Sequence, residues 1–174
     1  MNRNLKIIIT FIFGLSIFFI LLRGLNIPNQ YSPNNISTKI DLNVSLKGLF
    51  DENEYSIKEL VETKNFILIN IWSSWCLPCR EEHYYLMKLK DQNVEIFGIN
   101  YKDKSNNAKS FIKKMGNPYS NILVDTDGTR SIELGAIGVP ETYLIDVSKS
   151  KVIKKFIGPL DQNKLEEIVN IFKL

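Results

Sequence analysis

Cys76 and Cys79 are the only cysteines of this 174-residue chain, and two residues separate them in IWSSWCLPCREEH (71–83). Thiols at this spacing can form a structural disulfide, supply half of a metal site, or act as a redox dithiol. A disulfide restrains the unfolded chain most when it closes a long loop; closing so short a loop constrains little. A domain of this length can also build a core without one. Structural zinc takes about four ligands, yet the chain has no second cysteine pair and one histidine, His83. A redox dithiol remains. With Cys76 at the start of a helix and Cys79 one turn in, the two sulfurs can meet. The unpaired N–H groups and positive dipole end of that helix favour a thiolate. Arg80 acts in the same direction, and Glu81 and Glu82 against it. Cys76 is expected to be the exposed nucleophile, and Cys79 the resolving thiol that attacks the mixed disulfide. Pro78 suits the first helical turn, where a missing N–H costs little. Trp75 is expected to shield one side of the nucleophile. His83 reads as a packing residue of the early helix.

The elements around the dithiol follow from periodicity. FILINIW (66–72) is a continuous apolar run with branched residues, as in a strand buried on both faces. A helix after Cys76 has Tyr85, Leu86 and Leu89 on its apolar side. VEIFGIN (94–100) is a second strand. Ser105 reads as the N-cap of a helix carrying Ala108, Phe111, Ile112 and Met115, which Gly116 ends. TYLID (142–146) and VIKKFIG (152–158) read as an antiparallel hairpin. Asp161 caps a last helix with Leu165, Ile168, Val169 and Phe172 on one face. Residues 42–60 suggest a further short hairpin. The pattern specifies an α/β class, with a central mixed sheet flanked by helices. Asp125-Thr126-Asp127-Gly128 resembles the start of a calcium loop but lacks the later acidic ligand, and reads as a turn. No metal or cofactor is implied.

The amino-terminal segment is of another kind. Ile7 to Leu22 is an uncharged apolar run preceded by Arg3 and Lys6. It is slightly short of the ~20 residues that span a bilayer, and extends if Arg23 snorkels and Leu25 and Ile27 join. It ends without the small residues of a signal-peptidase site. Residues 7–25 therefore read as an uncleaved signal anchor, with 1–6 cytoplasmic by the positive-inside rule. Residues 26–40, rich in Asn, Pro and Ser, read as a linker. Residues 41–174 read as a domain on the outer face of a bacterial inner membrane, in the periplasm, where disulfides persist. The net charge of +3 is small and its lysines are scattered among acids. Nothing here suggests nucleic-acid binding.

WCLPC is similar to the active site of the thioredoxin superfamily. With GINYKD (98–103), MGNPY (115–119), DTDG (125–128) and GAIGVPETYLID (135–146), the chain from about residue 40 onward resembles a narrower group. These are the membrane-anchored thiol:disulfide interchange proteins of cytochrome c biogenesis, the DsbE/CcmG family. Some members carry Pro directly after the first cysteine; here Leu77 stands there and Pro78 follows. The resemblance implies a thioredoxin-like fold and a monomeric protein disulfide reductase. Its partners would be apocytochrome c, thiol proteins of the haem-ligation machinery, and a membrane electron donor of the DsbD/CcdA type. It also implies that Pro140 is the cis-proline opposite the dithiol, with the Val139 backbone pairing with a substrate strand. Glu82 and Glu141 match acidic residues near the site that could raise the Cys76 pKa or relay protons to Cys79. Either could instead be a solvated surface carboxylate. Asn100, Tyr101, Lys102 and Asp103 would shape the partner groove. Other readings are a different anchored reductase or disulfide oxidase of the same superfamily, or a module that mainly binds apocytochrome.

Overall fold

A computed structural model describes residues 3–25 and 39–172. They fall into two units. Most of the expected linker, residues 26–38, lies outside the described residues.

The first unit contains one helix, α1 (Arg3–Leu25). Its 23 residues span about 35 Å at ~1.5 Å each, enough for a ~30 Å hydrocarbon layer. None of its membrane-length window, Arg3–Arg23, is buried.

The second unit is a seven-stranded mixed sheet with helices against it. Its elements are β1 (Ser45–Gly48), β2 (Glu54–Ser56), α2 (Ile57–Val61), β3 (Phe66–Trp72), α3 (Leu77–Asp91), β4 (Ile96–Tyr101) and α4 (Ser105–Met115). Then follow β5 (Asn121–Asp125), α5 (Thr129–Glu133), β6 (Glu141–Asp146), β7 (Lys151–Ile157) and α6 (Gln162–Phe172). The strand order is β2-β1-β5-β4-β3-β6-β7. β3, β4 and β5 are parallel, and β6 runs antiparallel to both β3 and β7.

Alternation along β3 divides the core. Leu68 and Trp72 join Leu86 and Leu89 of α3, Phe111 and Ile112 of α4, and Ile168 of α6. Ile67, Ile69 and Ile71 point the other way, onto Ile57 and Val61 of α2, Leu134, and Tyr143 and Ile145 of β6. Both faces are covered, which explains why FILINIW is a continuous apolar run.

The structure departs from the sequence reading at several places. β5 and the one-turn helices α2 and α5 were not expected. Each is five residues long, too short for a periodic signal. Ser105 is the first residue of α4 and Lys104 occupies the N-cap position, without a side-chain cap bond. Ile40, assigned to the linker, is buried; its N–H donates to the Ser150 carbonyl at 2.9 Å, and Lys39 bridges Lys151. The hairpin β1–β2, the stop of α4 at Gly116 (φ 93°) and the Asp161 cap on the Lys164 N–H (2.9 Å) agree with the sequence reading.

Candidate redox site

The buried strand β3 ends at Trp72, and a short loop delivers Cys76 to the N-cap of α3 in an extended conformation (φ −82°, ψ 114°). Cys79 lies one turn in. Its N–H donates to Cys76 Sγ at 3.1 Å, and the two sulfurs form a disulfide of 2.09 Å. Pro78 sits in the first turn, where its lack of a donor leaves no intrahelical bond unmade. The helix N-terminus thus offers a main-chain donor to the Cys76 sulfur.

Cys76 was expected to be exposed. In the disulfide it is 4% exposed, close to the 2% of Cys79. The bond turns its side chain onto Cys79, and both pack within the cluster formed by Trp72, Leu86 and Phe111. The exposed residues are its neighbours, Trp75 at 58% and Leu77 at 66%.

A second loop holds the first in place. Asp103, at the end of GINYKD, accepts the Ser74 N–H at 2.6 Å and the Ser74 hydroxyl at 3.0 Å. Asn100 Nδ2 donates to the same carboxylate at 3.1 Å. The Trp75 indole N–H donates to the Lys102 carbonyl at 3.0 Å, and the Ser73 hydroxyl to the Tyr101 carbonyl. Lys102 adopts a left-handed backbone (φ 45°) within this clamp. Residues 100–103 therefore fasten the approach to Cys76. Arg80 donates to the Ser74 carbonyl at 2.7 Å and lies over the Phe111 ring.

The 135–140 segment borders the dithiol. Val139 is half-buried and packs against the cluster that holds both cysteines. The Val139–Pro140 peptide is cis. Among the described residues, neither the N–H nor the carbonyl of Val139 has a hydrogen-bond partner. Ile137 is 69% exposed beside it.

Both glutamates are buried, which removes the solvated-surface reading of each. Glu82 lies on α3, one turn beyond Cys79, and is 0% exposed. Its Oε1 accepts from Asn70 Nδ2 at 2.8 Å and its Oε2 from the Leu160 N–H at 2.9 Å. Burial disfavours the charge, and the pKa is pushed up to about 7 despite those donors. Glu141 opens β6 and is 1% exposed. Its Oε1 accepts the Ile137 and Gly138 N–H groups at 2.9 and 3.1 Å. Its Oε2 accepts the Tyr143 hydroxyl at 2.8 Å and pairs with Lys155 Nζ at 2.9 Å. Glu141 therefore shapes the segment that carries Val139 and Pro140.

Buried His83 donates from Nε2 to the Gly116 carbonyl at 3.1 Å and meets Phe111 edge-on; burial lowers its pKa. Asp125 accepts the Ser131 N–H and hydroxyl at 2.7 and 2.6 Å, so DTDG is a turn that anchors α5. Among the described residues no group of three or more His, Cys, Asp or Glu side chains is placed to hold a metal.

The roles of Asn70, Ser74, Tyr119 and Lys155 escaped the sequence reading, although Tyr119 closes the MGNPY motif and Ser74 lies just before the dithiol. Asn70 had a signal: it is the one polar residue inside FILINIW, and a polar side chain buried in a strand must find partners.

An α/β sheet carrying a CxxC at the amino end of a helix defines a disulfide oxidoreductase of thioredoxin-like fold. Residues 38–171 match the Redoxin family. The chain is 42% identical over 123 residues to the thiol:disulfide interchange protein DsbE of Pasteurella multocida, covering 71% of this chain and 67% of that protein. It is 33% identical to HelX of Rhodobacter capsulatus, also named a thiol:disulfide interchange protein, covering 83% and 81%. Two further DsbE relatives are matched over 64% and 55% of their length. The crystal structure of a secreted Mycobacterium tuberculosis disulfide oxidoreductase homologous to DsbE superposes with a TM-score of 0.63 at 18% identity, covering 75% of this chain and 96% of that one. The chain belongs to the redoxin family, among the thiol:disulfide interchange proteins of the DsbE type.

Proposed function

We propose that this chain is a membrane-anchored protein disulfide reductase that keeps the haem-binding cysteines of apocytochrome c, or a partner thiol protein of haem ligation, reduced. The observation that carries the reading is the Cys76–Cys79 pair at the start of α3, with a main-chain donor on the Cys76 sulfur and the unpaired Val139 backbone close by. Cys76 and Cys79 are the catalytic residues. A Cys76 thiolate attacks one sulfur of the substrate disulfide, and the other sulfur leaves as a thiolate. A mixed disulfide remains. Cys79 gives its proton to the Glu82 carboxylate and attacks Cys76 Sγ; the second substrate sulfur leaves and is protonated. The substrate has gained two electrons, and the Cys76–Cys79 disulfide has formed. A membrane dithiol donor of the DsbD/CcdA type returns the electrons.

The remaining site residues support these steps. Val139 offers an unpaired N–H and carbonyl to an extended substrate segment, as in strand addition. Pro140 and Glu141 set the course of that segment. Trp75 and exposed Leu77 and Ile137 give an apolar rim, and Pro78 starts the helix. In this reading residues 1–6 are cytoplasmic, 7–25 are the anchor, 26–40 the linker, and 41–174 a monomeric periplasmic domain of a bacterial inner-membrane protein. The length of α1 supports the anchor, and Arg3 and Lys6 in its first turn support that orientation.

The test is cytochrome c maturation in cells whose only copy carries Cys76→Ser. Holocytochrome is expected to be lost under oxidising growth and restored by an added reductant; unchanged holocytochrome overturns the reading. Cys79→Ala is expected to trap the apocytochrome as a mixed disulfide. The equilibrium potential is expected below roughly −200 mV, on the reductant side of the scale.

A further inference from the structure

We propose that Asn70 and Tyr119 are positioning residues for proton exchange: Asn70 holds the Glu82 carboxylate, and Tyr119 supports the Asn70 amide in the orientation that does so. The inference rests on the reading that Glu82 takes the proton of Cys79.

Asn70 is 0% exposed, in the middle of β3. Its Nδ2 donates to Glu82 Oε1 at 2.8 Å and to Thr142 Oγ1 at 3.0 Å, which uses both amide hydrogens. Its Oδ1 accepts the Tyr119 hydroxyl at 2.8 Å. A flipped amide would set a carbonyl oxygen against a carboxylate oxygen, two acceptors without a hydrogen between them. The carboxylate therefore selects the amide orientation, and the Tyr119 hydroxyl satisfies Oδ1 in that orientation. Burial keeps that hydroxyl protonated, far above its ordinary range. Tyr119 is itself held. Its ring stacks on Trp72, with centroids 5.6 Å apart and planes 16° from parallel. Gly98 of β4 lies beneath it, where an added Cβ would come within 3.0 Å of the ring.

The order runs from Gly98 through Tyr119 and Asn70 to Glu82, and it ends one helical turn from Cys79. An amide gains and loses no proton near neutrality, so a proton on Glu82 does not leave through Tyr119. It returns by the side on which it arrived. Among the described residues, Lys164 of α6 and the Tyr119 phenol are the other titratable groups that act on Glu82, and Cys79 and His83 are buried with it on its own helix. His83 is committed to the Gly116 carbonyl.

The experiment follows resolution of a mixed disulfide between Cys76 and a chromophoric aromatic thiol, in single turnover on the full chain, from pH 5 to 9. The wild-type rate is expected to have an inflection near neutrality, and Glu82→Gln to lack it. Asn70→Leu keeps the volume and removes the donor, so the inflection is expected to move up by about one pH unit. Tyr119→Phe is expected to move it the same way by less. If Glu82→Gln keeps the wild-type inflection, the role of Glu82 is wrong and this inference falls with it. If Glu82→Gln loses the inflection while Asn70→Leu leaves it in place, the role of Glu82 stands and the inference is overturned. Should Asn70→Leu fail to fold, Tyr119→Phe decides: a shifted profile supports the inference, and an unchanged one overturns it.

Discussion

Glu82 and Glu141 are buried to the same degree, on opposite faces of one sheet, and their surroundings treat the charge differently. Glu82 lies on the α3 side, with Asn70 and the Leu160 N–H as its donors. Glu141 precedes Tyr143 of the other cluster and has a lysine, a phenol and two main-chain N–H groups. An ion pair with further hydrogen bonds offsets the desolvation of a carboxylate; two neutral donors do so only in part. One site therefore clamps a loop. The other leaves a carboxyl that changes charge near neutrality. Burial alone does not set the role of an acid. What faces it does.

The largest test breaks the comparison by stranding Glu141. Lys155→Met leaves an uncompensated carboxylate and is expected to destabilise the domain by about 3–5 kcal/mol at neutral pH. Urea denaturation at neutral pH measures it, and a variant as stable as the wild type rejects the argument.

Next is the pH dependence due to Glu82. Its folded pKa of about 7 lies above the ordinary 4.5, so the folded state holds a proton that the unfolded state has released. Its stability contribution is complete below about 4.5 and is lost as pH rises toward 7, by about 3 kcal/mol in all. Glu82→Gln is expected to flatten that slope. A Glu82→Gln domain with the wild-type slope contradicts the assignment.

A smaller effect isolates one donor. Tyr143→Phe removes the hydroxyl on Glu141 Oε2 and is expected to cost about 1–2 kcal/mol. The slope due to Glu82 should not change, because Tyr143 lies on the other face.

The smallest sharpens the comparison through His83. Its folded pKa is depressed by burial, so its contribution is complete above the unfolded value near 6.5 and is lost as pH falls through it. That slope opposes the one from Glu82. Glu82→Gln should therefore reveal stability falling in acid between pH 7 and 5, and His83→Phe in that background should remove the fall. Thermal melts across the range measure it.

How much was legible differs with distance along the chain. β3, α3, the β6–β7 hairpin and α6 were readable because apolar spacing, Pro78 and Asp161 act within a few residues. The CxxC was readable for the same reason, since a helical turn brings residues three apart together. The membrane-length helix also followed from composition alone. The burial of Cys76 was not legible, because the packing by Trp72, Leu86 and Phe111 comes from other elements. The short β5 has too few residues for a period and is held by β4 and β1.

The setting of the two acids shows the same division. The sequence by itself determined the dithiol, the helix that begins on it and the apolar strand before it. Each depends on backbone geometry over one or two turns. The tertiary structure decided the partners of Glu82: Asn70 is 12 residues away and Leu160 is 78, and Tyr119 lies 49 from Asn70. Only the packing of α3 and the segment before α6 against one face of the sheet brings them within 3 Å. A carboxyl's charge follows from its desolvation and its donors, and those exist only after the sheet has closed over it.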